Sequence, residues 1–205
     1  TIGRTFGYIV KSKLESNIIA TGYDGRLTSP KLHKALCEGL KDSGSKVLNI
    51  GMGPTPMTYF AHYHLDTDAV IMVTGSHNPS EYNGFKMVLN KTSFFAEDIQ
   101  SLQKLIDYNK IELEEGQIIN QDITTEYIKR NLLNISLKKK LKIAWDPGNG
   151  AMGKVTRAIT EKLYNSENII INEEVDGNFP NHHPDPTVPK NMVQLIKTVI
   201  ENDCD

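Results

Sequence analysis

Ser76 and His77 stand side by side in the segment VTGSHNPSEYNGFK, residues 73–86. The pairing suggests a hydrolase nucleophile with its base. That chemistry needs the base within hydrogen-bond reach and a third group to orient it. Adjacent side chains on extended backbone point to opposite sides, so His77 is badly placed unless a tight turn intervenes. The signature G-x-S-x-G is also absent: Gly75 directly precedes Ser76, and Pro79 follows three residues later. An anion site fits the residue types better. Gly75 lets backbone N–H groups approach a ligand, Asn78 offers amide donors, and Pro79 stiffens the loop. A turn at Asn83-Gly84 can return Lys86 towards the serine. His77 and Lys86 then supply positive charge to phosphate oxygens. The plain alternative is a polar strand-end loop without a ligand.

Two further segments carry chemistry-bearing residues. In WDPGNGAMGK, Gly148, Gly150 and Gly153 spell G-x-G-x-x-G, with Glu173 and Glu174 about 20 residues on. This is the dinucleotide fingerprint as usually written, and it raises a dinucleotide-binding oxidoreductase as one reading. Pro147 intrudes at the strand end, and a tightly packed glycine turn is the other reading. In FPNHHPDP, His182, His183 and Asp185 could bind metal, but vicinal histidines followed by prolines have no ligand spacing of a known kind. A proline-pinned loop is expected there.

The elements that must position these residues alternate. Ile2, Phe6, Ile9 and Val10 predict a helix over 2–13. A strand over 17–24 leads into a loop with Gly25 and Arg26. Ser29-Pro30 then opens a helix with Leu32, Leu36 and Leu40 on one face. A second strand (46–53), a helix from Pro54 to about Leu65, and the apolar run Ala69–Val73 follow. A strand over 85–90 and a helix near 97–108 complete the first half. Residues 109–122 are polar and predict a domain boundary. The pattern restarts with a helix (123–135), a strand (141–146), a helix (about 151–164), a strand (168–175), the loop 176–189 and a final helix. Such repetition predicts α/β architecture, a largely parallel sheet with helices on its faces.

Composition sets the outer bounds. Of 205 residues, 39% are hydrophobic and 23% charged, with formal net charge -2, as in ordinary globular proteins. That balance gives no reason to expect nucleic acid or an acidic membrane as partner. Lys138, Lys139, Lys140 and Lys142 predict a solvated strand entry. No apolar run approaches the ~18–20 residues of a membrane helix, and no secretory leader is visible. Cys37 and Cys204 fit a reducing, cytoplasmic setting better than a disulfide. The chain begins at Thr1 and stops abruptly after a helix, which suggests a fragment at both ends.

Taken together, the segments GYDGRLTSPKLHKALCEGL, GMGPTPMTYFA, MVTGSHNPSEYNGFK, DPGNGAMG and DGNFPNHHPDPTVPKN resemble, in order, those of the phosphohexomutases, in the phosphomannomutase/phosphoglucomutase branch. The serine loop is the most specific of them. The resemblance implies two consecutive three-layer α/β/α domains with mostly parallel mixed sheets. The first, 1–112, lacks its N-terminal strand; the second, 121–205, is incomplete at its C-terminus. It implies interconversion of hexose 1-phosphate and hexose 6-phosphate through a phosphoserine at Ser76 and a bisphosphorylated sugar. His77 and Lys86 match catalytic residues, and Gly75 and Asn78 support the loop. It implies Mg²⁺ held by the Ser76 phosphate, with its remaining ligands in a later family segment that this sequence does not contain. The 205-residue chain alone is therefore expected to be inactive.

Overall fold

The computed structural model describes residues 1–107 and 111–205. They form two units. The first comprises Thr1–Asp24, Thr28–Thr74 and Asn83–Ile123; the second comprises Gly25–Leu27, Gly75–Tyr82 and Thr124–Asp205.

In the first unit, α1 (Ile2–Lys13) is followed by β1 (Ile18–Tyr23), α2 (Ser29–Lys41), β2 (Lys46–Met52), α3 (Thr55–His64) and β3 (Ala69–Val73). Then come β4 (Phe85–Leu89), β5 (Thr92–Phe94), α4 (Glu97–Asp107) and β6 (Gln117–Asn120). The strands make one mixed sheet in the order β5-β4-β3-β1-β2-β6. The run from β3 to β6 is parallel, and β4 and β5 add antiparallel strands at one edge. Parallel strands covered on both faces read as continuous apolar runs, and all five residues of β3 are buried. Its Ala69, Ile71 and Val73 join a core with Phe6, Val10, Leu36, Leu40 and Leu102 from α1, α2 and α4. Val70 and Met72 alternate to the other face, where the Thr58 hydroxyl of α3 donates to the Met72 sulfur at 3.2 Å. Phe6 meets Phe94 edge-to-face with ring centroids 5.2 Å apart.

Helices α1 and α2 approach closely at Gly3. A β-carbon there would collide with the Leu36 carbonyl and lie 2.9 Å from the Leu40 nitrogen. Gly3→Ala is expected to destabilise the first unit by about 1–3 kcal/mol, because backbone rather than a flexible side chain must yield. The urea unfolding midpoint checks this; an unchanged midpoint would contradict the close crossing.

Strand β6 departs from expectation. It lies within 109–122, which the sequence presents as a polar linker, yet it pairs in parallel with β2 from Lys46↔Gln117 to Asn49↔Asn120. Four residues are too few to declare a period, and only Ile118 packs against the first core. Positions 109 and 110 of that stretch, and position 108 of the predicted helix, lie outside the described residues.

The second unit contains α5 (Thr124–Leu132), β7 (Leu141–Trp145), α6 (Gly153–Thr160) and β8 (Ser166–Ile170). A 3-10 turn, Pro189–Met192, leads into α7 (Val193–Glu201). β7 and β8 pair in parallel. Several elements end earlier than hydrophobicity alone predicts. Asn134, Asn165 and Asn172 adopt positive φ, which asparagine tolerates better than most residues. Asn134 and Asn165 lie just beyond α5 and just before β8; Asn172 lies just past β8, inside the strand expected over 168–175. Lys139 binds Asp205, and Lys140 and Lys142 face Glu167, a solvated cluster as expected.

Candidate active site

The loop that carries Ser76 connects β3 to β4. Its ends are fixed within the first unit. The Thr74 hydroxyl donates to Asp24 at 2.7 Å, its N–H donates to the Gly84 carbonyl at 3.0 Å, and the Asn83 amide donates to the Ser29 hydroxyl at 2.8 Å. Residues Gly75–Tyr82 belong to the second unit. The Asn78 N–H donates to the Gly75 carbonyl at 3.0 Å, closing a tight turn with Ser76 in its first central position. There Ser76 has φ +55, a left-handed conformation that a residue with a β-carbon adopts at a cost of order 1–3 kcal/mol. Ser76 and His77 are exposed, whereas Gly75 is buried. The extended backbone assumed in weighing the Ser76–His77 pair is thus replaced by a turn.

Arg26 holds this turn. It is 1% exposed. Its guanidinium donates to the carbonyls of Ser76 and Asn78, both at 2.8 Å, of Pro79 at 2.5 Å and of Tyr82 at 3.1 Å. The Phe179 ring lies beneath it, 5.2 Å from centroid to guanidinium carbon. A β-carbon at Gly75 would lie 2.5 Å from the Tyr82 carbonyl and 2.6 Å from the Arg26 guanidinium. Gly75 therefore serves the arginine as well as the backbone approach inferred from sequence. Sequence reading names Arg26 only as a loop residue; the one signal was an arginine set between Gly25 and a leucine directly after a buried strand.

His77 Nδ1 lies 4.0 Å from an Asp185 carboxylate oxygen, a charge contact rather than a hydrogen bond. The hydroxyl and N–H of Thr187 hold the Asp185 carboxyl below the usual carboxylate range, with smaller contributions from His77 and His183. His182 is half-buried. Its Nε2 faces an Asp146 carboxylate oxygen at 2.9 Å and its Nδ1 faces the His183 carbonyl at 3.0 Å. Both partners are acceptors, so only the doubly protonated ring satisfies both. Burial pulls its pKa down, but those two bonds prevail and leave it raised. Asp146, Gly148, His182, Asp185 and Met192 line a cavity of about 230 Å³. The His182–Asp185 loop is thus hydrogen-bonded as well as proline-pinned.

The glycine loop does not present a phosphate cradle. The Gly148 N–H donates to Asp146 at 2.9 Å, Asn149 to the Asn172 carbonyl at 2.8 Å, and Gly150 to the Pro147 carbonyl at 2.9 Å. Gly153 donates to Gly150 at 3.1 Å. These are the groups that a pyrophosphate would need. Glu173, the acidic partner expected for a ribose, is bound by Arg157. Gly153 is required for packing instead, because a β-carbon there would collide with the Glu173 carbonyl.

Lys86 lies in the first unit on β4, exposed and in register with Met72. Asn78 is exposed. Among the described residues no group of three or more His, Cys, Asp or Glu is arranged to hold a metal ion, and no helix is long and apolar enough to cross a membrane.

Comparison with known proteins gives this geometry a context. Residues 1–112 match the model of phosphoglucomutase/phosphomannomutase α/β/α domain I, and residues 124–205 match that of domain II. The chain belongs to the phosphoglucomutase/phosphomannomutase family. It is 42% identical over 204 residues to a phosphomannomutase/phosphoglucomutase of Pseudomonas putida, covering 100% of this chain and 44% of the relative. It is 42% identical over 192 residues to a phosphoglucomutase of Neisseria meningitidis, covering 91% of this chain and 41% of that protein. A solved structure of a family protein from Burkholderia thailandensis superimposes with TM-score 0.93 at 37% identity, covering 100% of this chain and 46% of that one. The chain therefore spans less than half the length of the family members it matches. Membership accounts for the G-x-G-x-x-G pattern as a packed turn of domain II.

Proposed function

We propose that the full-length protein containing this chain is a phosphohexomutase that interconverts hexose 1-phosphate and hexose 6-phosphate, with mannose and/or glucose as the sugar. The observation that carries the reading is Ser76, exposed at positive φ on a clamped loop in a member of this family. Ser76 carries a phosphoryl group in the resting enzyme. A free hydroxyl of the bound hexose monophosphate attacks the phosphorus, the bond to Ser76 Oγ breaks, and a hexose bisphosphate results. The attacking hydroxyl gives up its proton and the departing Ser76 oxygen gains one. After the bisphosphate reorients, Ser76 Oγ loses its proton and attacks the other phosphorus; the bond from that phosphorus to the sugar oxygen breaks, the sugar oxygen gains a proton, and the isomeric monophosphate is released with Ser76 phosphorylated again. No phosphate is gained or lost over the cycle.

Phosphoryl transfer passes through a loose transition state, so positioning and charge neutralisation supply most of the catalysis. His77 and Lys86 are the candidates for moving the protons and neutralising charge on the transferring oxygens. Gly75 and Asn78 support the loop. Mg²⁺ enters the proposal through the Ser76 phosphate oxygens. It wants near-octahedral oxygen coordination, which the described side chains do not complete, so the steps above are those of the protein groups and the sugar. The two free cysteines support a cytoplasmic setting.

A coupled assay tests the reading. Given mannose or glucose 1-phosphate, a hexose 1,6-bisphosphate and Mg²⁺, the full-length protein is expected to form the 6-phosphate at roughly 1–10³ per second. The 205-residue chain alone is expected not to turn over. A full-length protein inert towards every hexose phosphate would instead be a binding module. Saturable micromolar binding of NAD(P)H, seen in Trp145 fluorescence, would restore the oxidoreductase reading.

A further inference from the structure

Burying a guanidinium is expensive unless its donors are met, and a surface loop can close on its own backbone bonds without one. Arg26 directs its donors to the carbonyls of four residues of one loop, Ser76, Asn78, Pro79 and Tyr82. A planar fork of five donors can bridge several acceptors at once; the ammonium of lysine is a point charge that cannot. The surroundings are shaped to keep that fork in place. Phe179, itself at φ +51, lies beneath it. Gly177 leaves space where a β-carbon would lie 2.6 Å from the Leu27 nitrogen and 2.7 Å from the Gly25 carbonyl. The bond to the Ser76 carbonyl fixes the peptide plane that follows Ser76. With φ of Ser76 held at +55, that plane determines the direction in which its Cα–Cβ bond leaves the loop, and so limits Oγ to the few staggered positions about that bond.

We propose that Arg26 is a positioning residue for phosphoryl transfer, holding Ser76 in its left-handed conformation so that Oγ is aimed before substrate arrives. This rests on the phosphohexomutase reading. Being 1% exposed, Arg26 acts through Ser76 rather than by touching sugar or phosphate. It should therefore govern kcat and the rate at which Ser76 accepts phosphate, and leave the KM for hexose phosphate nearly unchanged.

The test uses the full-length protein and Arg26→Lys, which keeps the charge and loses the fork. The expected result is a kcat per folded molecule lower on the order of 10²-fold, the scale at which a misplaced reacting group reduces rate. Phosphorylation of Ser76 from hexose 1,6-bisphosphate should slow in parallel. Added guanidinium at millimolar concentration should partly restore kcat to Arg26→Gly, whereas methylammonium should not. An unchanged kcat in Arg26→Lys overturns the proposal. So does a loss explained entirely by the unfolded fraction, with normal turnover per phosphorylated Ser76. If Arg26→Lys does not fold, Gly75→Ala decides, since its new methyl pushes on the guanidinium and the Tyr82 carbonyl. The same kcat loss in that variant supports the proposal, and wild-type kcat overturns it. A wild-type protein with neither turnover nor phosphate on Ser76 overturns the functional reading and this proposal with it. An active wild type with an equally active Arg26→Lys overturns this proposal alone.

Discussion

Replacing Ser76 by alanine in the full-length protein is expected to remove mutase turnover by at least about 10³-fold, on the scale seen when a covalent nucleophile is deleted. The fold should not suffer, because Ser76 is exposed. Ser76→Gly separates chemistry from strain. Glycine takes φ +55 without steric cost, so this variant should be equally inactive yet more stable, by about 1 kcal/mol. The two outcomes are read from the coupled assay and from the urea midpoint. Full activity in Ser76→Ala would remove the serine from the mechanism. A destabilised Ser76→Gly would mean that the left-handed conformation carries no strain.

The second large effect lies in the core of the first unit. His33, on α2, is 5% exposed and packs against β1. Its Nε2 lies 3.1 Å from the Thr21 hydroxyl and 3.5 Å from the Cys37 sulfur, and the Tyr23 ring packs on it at 4.7 Å. Burial lowers its pKa from 6.5 to about 4, with the Thr21 backbone opposing. Above pH 6.5 the ring is neutral in both folded and unfolded chains, and stability is complete. As pH falls below 6.5 the unfolded chain takes up a proton that the folded one refuses. The loss grows until the folded pKa, about 4, is reached, and amounts to about 3 kcal/mol. Comparing wild type with His33→Gln isolates this term from the carboxylates. The wild type should lose more stability than the variant between pH 7 and 4.5, measured by urea unfolding. Parallel pH profiles would contradict the assignment.

The sequence carried some of this plainly. Ala69–Val73 reads as a strand covered on both faces because five consecutive apolar residues leave no polar side, and that is how it packs. The loop 73–86 is legible in its residue types as a candidate anion site, beside the plain reading of a polar strand-end loop. Arg26 was not, because its meaning lies in carbonyls such as that of Ser76, 50 residues further along the chain; nothing local distinguishes it from a solvated arginine. β6 was missed because four residues show no period, and its pairing with β2 is a tertiary choice. The glycine triplet gave a false signal for a similar reason. The letters fit a dinucleotide loop, but hydrogen bonds to Asp146, Pro147 and Asn172 already use its N–H groups. The raised pKa of His182 is likewise invisible in HHPDP, since it depends in part on Asp146 arriving at its Nε2.

The central claim is that Ser76 carries phosphate through the reaction. Its most direct test is phosphopeptide mass spectrometry of the full-length protein after incubation with a hexose 1,6-bisphosphate, followed by a chase with mannose or glucose 1-phosphate. The account predicts one phosphate on the peptide containing Ser76, lost on the chase as bisphosphate forms. Phosphate on a different residue, undiminished in Ser76→Ala and still transferred to sugar, would contradict it.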